Sequence, residues 1–240
     1  MSSARAIGHL RVHEIIDHTP TVRELVLKTE TPSEFTFKAG QFVMLHVPQG
    51  EAKPALRAYS IASDDRIKNG YRLLFKFVEN GLASTFVWAL KGGELLNFTG
   101  PFGKVTFQEP PTEQIVFLNT GTGLSQHICY LLSKKDQYPD LKYRMLFGVR
   151  SEKDMYYQPQ LDALAASMPN FKYEFVLSRP SDSWTGKKGY IQNFLPEFDY
   201  KNIPTTFYMC GNGGMIKEVK HQLIEIDGID KSKIWAEAFD

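Results

Sequence analysis

Two glycine-rich segments carry the first chemical signal. Thr120-Gly121-Thr122-Gly123-Leu124 follows a short apolar run and opens a helical pattern. Glycines at such a turn let backbone N–H groups approach a pyrophosphate, and the helix dipole favours its negative charge. A tight turn without ligand would use similar residues, and the sixth position of the full G-x-G-x-x-G pattern is Gln126. Cys210-Gly211-Asn212-Gly213-Gly214-Met215 repeats the arrangement further on. Each ordered glycine costs about 1 kcal/mol relative to Ala. A cluster of them therefore suggests the close approach of something flat and large, with a mobile surface loop as the plainer alternative. A third segment holds Arg150 and Ser151, and Arg179 ends the strand pattern beside it. An arginine at a strand's carboxyl end suits a ribose 2′-phosphate, which would favour NADPH. Arg150 could equally face solvent or pair with Glu152 or Asp154.

A different constellation lies earlier, in Arg57-Ala58-Tyr59-Ser60-Ile61-Ala62-Ser63. Strand alternation puts Arg57, Tyr59 and Ile61 on one face and Ala58 and Ser60 on the other. A guanidinium, a phenol and a hydroxyl on one strand make a site for an aromatic ring that carries phosphates. By spacing alone the signal is weak, since any barrel strand can end in tyrosine.

The elements that must position these groups fall into two halves. Up to about residue 107 the pattern is short and strand-like, with Val22–Lys28, Phe42–Val47, Ala58–Ala62 and Tyr71–Val78 separated by polar turns. One helical stretch, Leu82–Leu90, interrupts them. This reads as an antiparallel β-barrel or sandwich. After Pro110-Pro111 strand patterns begin near residues 114, 143, 172 and 205, with intervals of 29, 29 and 33 residues. About 30 residues make one β–α–β unit. Helical faces fill the intervals: Leu124, Ile128, Leu131 and Leu132; Leu161, Leu164, Ala165 and Met168; Ile216, Val219, Leu223 and Ile226. A last short strand over Lys233–Ala236 completes a doubly wound, parallel, five-stranded sheet. The expected division is a barrel over residues 1–109 and an α/β domain over residues 110–240, with Glu109–Thr112 as the hinge.

Composition narrows the function. The 240 residues are 42% hydrophobic and 23% charged, which excludes a disordered chain, a collagen and a coiled coil. Twenty-eight Lys and Arg against 27 Asp and Glu give a net charge of +1, against blanket neutralisation of nucleic-acid phosphates. Only two cysteines, Cys129 and Cys210, are present. They cannot build a four-cysteine metal or iron–sulfur site, and they point to a reducing, cytoplasmic compartment. No metal site is expected. Residues 1–10 lack a signal-peptide apolar core, and no run is long enough to span a bilayer. The six histidines are scattered and receive no catalytic role.

Seven short pieces, in order along nearly the whole chain, resemble the ferredoxin–NADP reductase superfamily. They are Ala39-Gly40-Gln41-Phe42, Arg57-Ala58-Tyr59-Ser60, Gly81-Leu82-Ala83-Ser84, Gly100-Pro101-Phe102-Gly103, Gly121-Thr122-Gly123, Cys210-Gly211 and Glu237-Ala238-Phe239. The resemblance implies a flavin-binding barrel followed by a nicotinamide-binding domain. It implies hydride transfer from NADPH or NADH to bound FAD, then electron transfer to a separate carrier such as ferredoxin or flavodoxin, or to a small-molecule acceptor. Arg57 and Ala58 would line the flavin pyrophosphate, Tyr59 would pack on the isoalloxazine, and Ser60 would bond near its reactive nitrogen. Lys76 would border the ribityl–phosphate region. Gly81, Ser84 and Thr85 would give N–H and hydroxyl donors to the pyrophosphate. Thr120, Gly121, Thr122 and Gly123 would hold the nicotinamide dinucleotide phosphates, with Cys210 and Gly211 beside the nicotinamide. Phe239 would cover the other flavin face, and Ser60 and Glu237 would order the site and relay protons. Cys210 would act by size and polarisability, not as a nucleophile.

The chain also departs from the pattern. Ser125-Gln126 replaces the small residue and proline that commonly continue the first glycine loop, and Phe239 stands where plant-type members end in tyrosine. The resemblance leaves two alternatives open: an NAD(P)H:flavin reductase or reductase component of an oxygenase, and a non-catalytic flavin-binding regulatory or electron-transfer component. A monomer is the expected unit.

Overall fold

The computed structural model describes residues 7–239; Asp240 and the first six residues, on which the signal-peptide reading partly falls, lie outside them. Contacts divide the chain into two units. One runs up to residue 107 and takes in residues 128–133; the other holds residues 108–127 and those from 134 onward.

The first unit contains β1 (Gly8–Thr19), β2 (Val22–Thr31), β3 (Phe42–Gln49), β4 (Ala52–Ser60), β5 (Gly70–Lys76), α1 (Leu82–Ala89) and β6 (Leu95–Phe102). Its antiparallel sheet has the order β4-β3-β6-β1-β2-β5. The two ends meet where Ile61 bridges Leu73 and the Ala62 N–H donates to the Arg72 carbonyl at 2.9 Å, which closes the barrel. Period-two alternation builds its interior. Leu10 and Val12, Leu25 and Leu27, and Val43, Leu45 and Val47 are all buried.

β4 starts six residues before the expected Ala58, at Ala52. Its first residues, Ala52-Lys53-Pro54, are exposed, so they carry no apolar alternation to read. Pro54 is tolerated because it falls at an irregularity of the β3–β4 ladder, between the Val47–Ala55 and Gln49–Ala52 pairs. Among the described residues of this unit, one carboxylate is buried. Glu24 on β2 accepts from His18 Nε2 at 2.7 Å and from Arg72 Nη1 at 2.8 Å, tying together β1, β2 and β5.

From residue 108 the chain runs β7 (Gln114–Thr120), a 3-10 turn (Gly121–Gly123), α2 (Leu124–Lys134, of which residues 128–133 count with the first unit), β8 (Lys142–Val149), α3 (Gln158–Ser167), β9 (Phe171–Leu177), β10 (Lys187–Lys188), a 3-10 stretch (Ile191–Phe198), β11 (Thr205–Asn212), α4 (Gly213–Lys220) and β12 (Ile234–Phe239). All neighbours pair in parallel, in the order β10-β9-β8-β7-β11-β12. The five expected strands are present. A two-residue sixth, β10, extends one edge and is too short to leave a pattern. The order runs outward from β7 through β8 and β9, then from β11 to β12 on the other side. The switch therefore lies between β7 and β11, and ligands of open parallel sheets bind at the carboxyl ends beside such a switch.

One helical expectation needs correcting. Ile216, Val219 and Leu223 are buried, but Ile226 is exposed. A π-helical turn over His221–Ile226 follows α4, and its wider turn rotates the face so that Ile224 packs on the core instead. Among the described residues no helix is long and apolar enough to cross a membrane.

Candidate functional site

In the barrel, β4 presents its residues in a graded way. Arg57 and Ala58 are exposed, Tyr59 is half-buried and Ser60 is buried. The Arg57 guanidinium donates to the Leu56 carbonyl at 3.0 Å, and no carboxylate among the described residues pairs with it. The Tyr59 ring packs on Phe75 with centroids 4.3 Å apart, and burial pushes its phenol up to about 12. The Ser60 hydroxyl has no protein hydrogen-bond partner among the described residues. A guanidinium without an acidic partner, a fixed ring and an unbonded hydroxyl thus sit within four positions of one strand.

β5 and α1 supply a second part. Lys76 Nζ donates to Thr21 Oγ1 at 2.6 Å. Gly81 is the N-cap of α1, in extended conformation, and Thr85 is exposed on its first turn. Helix geometry leaves the N–H groups of the first turn without intrahelical acceptors, which is where an anion is held. Ser84 is buried, and its hydroxyl oxygen accepts the Val78 N–H at 2.8 Å. This oxygen therefore fastens the loop between β5 and α1, which leaves the backbone N–H as the donor Ser84 has to offer an anion.

In the second unit the glycine loops meet each other. A Cβ on Gly123 would fall 2.2 Å from the Cys210 carbonyl oxygen. One on Gly211, at φ +129, would fall 2.3 Å from Thr120 Oγ1. These two glycines are explained by contact between backbones within the unit. Gly121 differs: φ is +52 and nothing lies within 4 Å of a Cβ there, so its outer side is open. Thr122 follows it, half-buried. Thr120 Oγ1 accepts the Asn212 N–H at 2.8 Å, and Asn212 caps α4 by accepting from the Met215 N–H at 3.1 Å.

β12 runs beside β11 in register, with Cys210 opposite Glu237 and Asn212 opposite Phe239. Cys210 is fully buried, and burial, together with the Glu237 charge, pushes its thiol well above the usual range. It is a poor nucleophile there. Glu237 accepts from Gln126 Nε2 at 2.6 Å, while burial pushes its carboxyl above the ordinary carboxylate value. Phe239 is exposed.

Arg150 and Arg179 follow neighbouring strands, and the Arg179 N–H donates to the Arg150 carbonyl at 2.7 Å. Both side chains are exposed, and neither has an acidic partner among the described residues. The acids that could have paired with Arg150 are engaged elsewhere: Glu152 accepts from the Ser181 N–H at 3.0 Å, and Asp154 from Ser151 Oγ at 2.9 Å.

Comparison with known proteins decides the family. Residues 9–107 match the family described as "Oxidoreductase FAD-binding domain", and residues 117–221 match "Oxidoreductase NAD-binding domain". Ferredoxin–NADP reductase B of Sorangium cellulosum is 32% identical over 231 residues, covering 92% of this chain and 93% of that protein. The chain belongs to the ferredoxin–NADP reductase family. The reductase is an oxidoreductase with an FAD-binding and an NAD(P)-binding domain. It is also 28% identical to one component of the Na(+)-translocating NADH-quinone reductase of Methylococcus capsulatus, over 91% of this chain and 64% of that component. In fold, it superposes on a ferredoxin NADP+ reductase from Neisseria gonorrhoeae with bound FAD and NADP, at TM-score 0.83 and 20% identity, over 98% of this chain and 99% of that one.

The residues present in the reductase fit both cofactors. The Gly81 N–H donates to the Val78 carbonyl at 3.0 Å and the Thr85 N–H to the Gly81 carbonyl at 2.9 Å, so the expected donors at α1 narrow to the N–H groups of Leu82, Ala83 and Ser84. These, with an Arg57 that has no acidic partner among the described residues, suit the flavin phosphates. The bare outer side of Gly121 and two unpaired arginines suit a second phosphorylated dinucleotide. Several structural features near these loops were not read from the sequence. Tyr156, buried, donates from its hydroxyl to the Gly121 carbonyl at 3.0 Å and so fixes that loop across 35 positions of chain. Tyr190 is 63% exposed and stands at the start of the 3-10 stretch. Two positions on, Gln192 lines a cleft of about 470 Å³ with Asn193, Gly214, Lys217 and His221. The exposure of Tyr190 was the available structural sign; the sequence offers only an aromatic after Gly189.

Proposed function

We propose that the reductase passes electrons from NAD(P)H through bound FAD to a separate carrier such as ferredoxin or flavodoxin. When bound, the flavin supplies the chemistry of taking hydride from a nicotinamide and releasing electrons singly. Arg57 binds its phosphates, Tyr59 holds its ring and Ser60 donates to its edge. The α1 N-terminus complements the pyrophosphate charge. Gly121, Thr122 and their neighbours hold the nicotinamide dinucleotide phosphates, Arg150 and Arg179 its 2′-phosphate, and Tyr190 its adenine. Cys210 and Glu237 order the nicotinamide end, Cys210 by bulk and Glu237 by its proton. Phe239, exposed and terminal among the described residues, is the movable cover. The single observation that carries this reading is the unpaired Arg57 two residues from the packed ring of Tyr59. A reducing, cytoplasmic location belongs to the same proposal, supported by two free, buried thiols.

The purified protein is expected to be yellow, and NAD(P)H under nitrogen to bleach it. A colourless preparation that gains no flavin from added FAD would refute the assignment. A second reading makes the chain one component of a larger electron-transfer assembly; the likeness to the quinone-reductase component supports it. Reduction of cytochrome c with purified ferredoxin present and absent separates the two, since a carrier-linked reductase needs the carrier.

A further inference from the structure

Gln126 is the residue that breaks the first glycine pattern. It is fully buried in the first turn of α2, an uncommon place for an amide with four hydrogen-bonding positions. Its Nε2 donates to Oε2 of Glu237 at 2.6 Å. The other carboxyl oxygen of Glu237, Oε1, has no hydrogen-bond or ion-pair partner among the described residues.

Among the described residues no cation pairs with Glu237. From β11 it faces the buried Cys210 thiol. From α2, His127 follows Gln126 but donates its Nδ1 to Asn119 Oδ1 at 3.0 Å, and burial pushes its imidazole down to about 3, so it stays neutral. From α4, Ile216 and Val219 join the apolar cluster that also receives Ala236 of β12. Lys217, Glu218 and Lys220 of that helix form no ion pair with Glu237. The amide of Gln126 is therefore the group that stabilises the Glu237 anion, and it holds one oxygen only.

We propose that Gln126 is a positioning residue: it pins Oε2 of Glu237 and leaves Oε1 as the single oxygen through which the carboxyl takes up and releases a proton at the nicotinamide end of the site. This rests on the proposed function for where that proton is used. A donor to the charged form lowers a carboxyl's pKa, so removing it raises the value. The pinned oxygen also fixes the rotamer, so the proton is offered in one direction.

The test is a titration of the full chain carrying ¹³C-labelled glutamate, with Glu237 assigned through Glu237→Gln. Gln126→Met keeps the volume and removes the donor. The expected result is an upward move of the Glu237 midpoint by about one pH unit. The pH profile of kcat for NAD(P)H-dependent dye reduction should move by the same amount, with KM for the nicotinamide unchanged. Ser125→Ala, in the same buried turn, should leave the Glu237 midpoint in place. If Gln126→Met does not fold, Gln126→Glu serves: two carboxyls at this distance share a proton, and the midpoint of the pair rises. An unmoved midpoint in a folded Gln126→Met protein overturns the proposal, as does an equal shift in Ser125→Ala. The titration needs neither flavin nor nicotinamide, so a failure to bind FAD sinks the proposed function without deciding this one.

Discussion

A Cβ built on Gly123 would lie 2.2 Å from the carbonyl oxygen of Cys210. The two glycine loops of the second unit are therefore packed backbone against backbone, and neither can gain a side chain at its contact. Gly123→Ala is expected to cost about 2 kcal/mol, the ordinary penalty for overpacking. Thermal unfolding without ligand reads it directly. Gly121→Ala should cost only the left-handed strain of about 1 kcal/mol, because nothing surrounds that position. It should instead weaken NAD(P)H binding, measured by titration, more than it lowers the melting temperature.

Arg57 offers the opposite contrast. Its guanidinium holds nothing but a neighbouring carbonyl, so Arg57→Ala should leave the unfolding free energy of the flavin-free protein within about 0.5 kcal/mol. The flavin should be lost. The ratio of absorbance at the flavin band to that at 280 nm after gel filtration checks this. Retention of a full complement would remove Arg57 from the phosphate site.

Arg150 and Arg179 should act on nucleotide choice. Replacing either with Ala is expected to lower kcat/KM for NADPH at least about tenfold, near 1.4 kcal/mol, and to leave NADH little changed. An unchanged NADPH/NADH ratio in Arg150→Ala would exclude it as the 2′-phosphate ligand.

Glu24 should make the barrel acid-sensitive. Its hydrogen bonds to His18 and Arg72 outweigh burial and hold its carboxyl below the ordinary carboxylate value. A carboxyl lowered on folding contributes its full stability above its unfolded pKa, about 4.3, and loses it as the pH falls through the folded value. Melting temperature measured from pH 6 to pH 3 should therefore fall, and fall less steeply in Glu24→Gln. At pH 7 that variant should cost about 3 kcal/mol, the low end for a broken buried pair, because Arg72 keeps contact with water.

Both thiols should be silent in the folded protein. Burial pushes Cys129 up to about 12 and Cys210 well above its usual value. At pH 8 a thiol reagent should titrate neither in the native state and both in denaturant. Rapid native reaction at Cys210 would contradict its placement inside β11.

The large features were legible because each is repeated along the chain. Strand spacing near 30 residues gives the parallel sheet, and two-residue alternation gives the barrel. What escaped depends on single residues meeting across distance. Nothing near Tyr156 in the sequence says that its hydroxyl reaches Gly121. Glu24 reads as one polar residue in an alternating strand until His18 and Arg72 close on it. Ile226 fits the helical period, but a π turn changes the period where it falls. Gln126 was visible as a departure from a pattern, without a partner; only register between β11 and β12, and the turn after β7, bring Glu237 to it. For the glycines the residue type was legible while the reason was not, since Gly123 and Gly211 answer to their own chain and Gly121 opens outward.

The exposed start of β4 has a bearing on self-association. A terminal strand that leaves half its main-chain groups unpaired is a template on which another molecule can extend the sheet. Pro54 removes one donor from that rim, and the charges of Lys53 and Arg57 make stacking of identical copies repulsive. These residues thus discourage fibre-like growth from that rim.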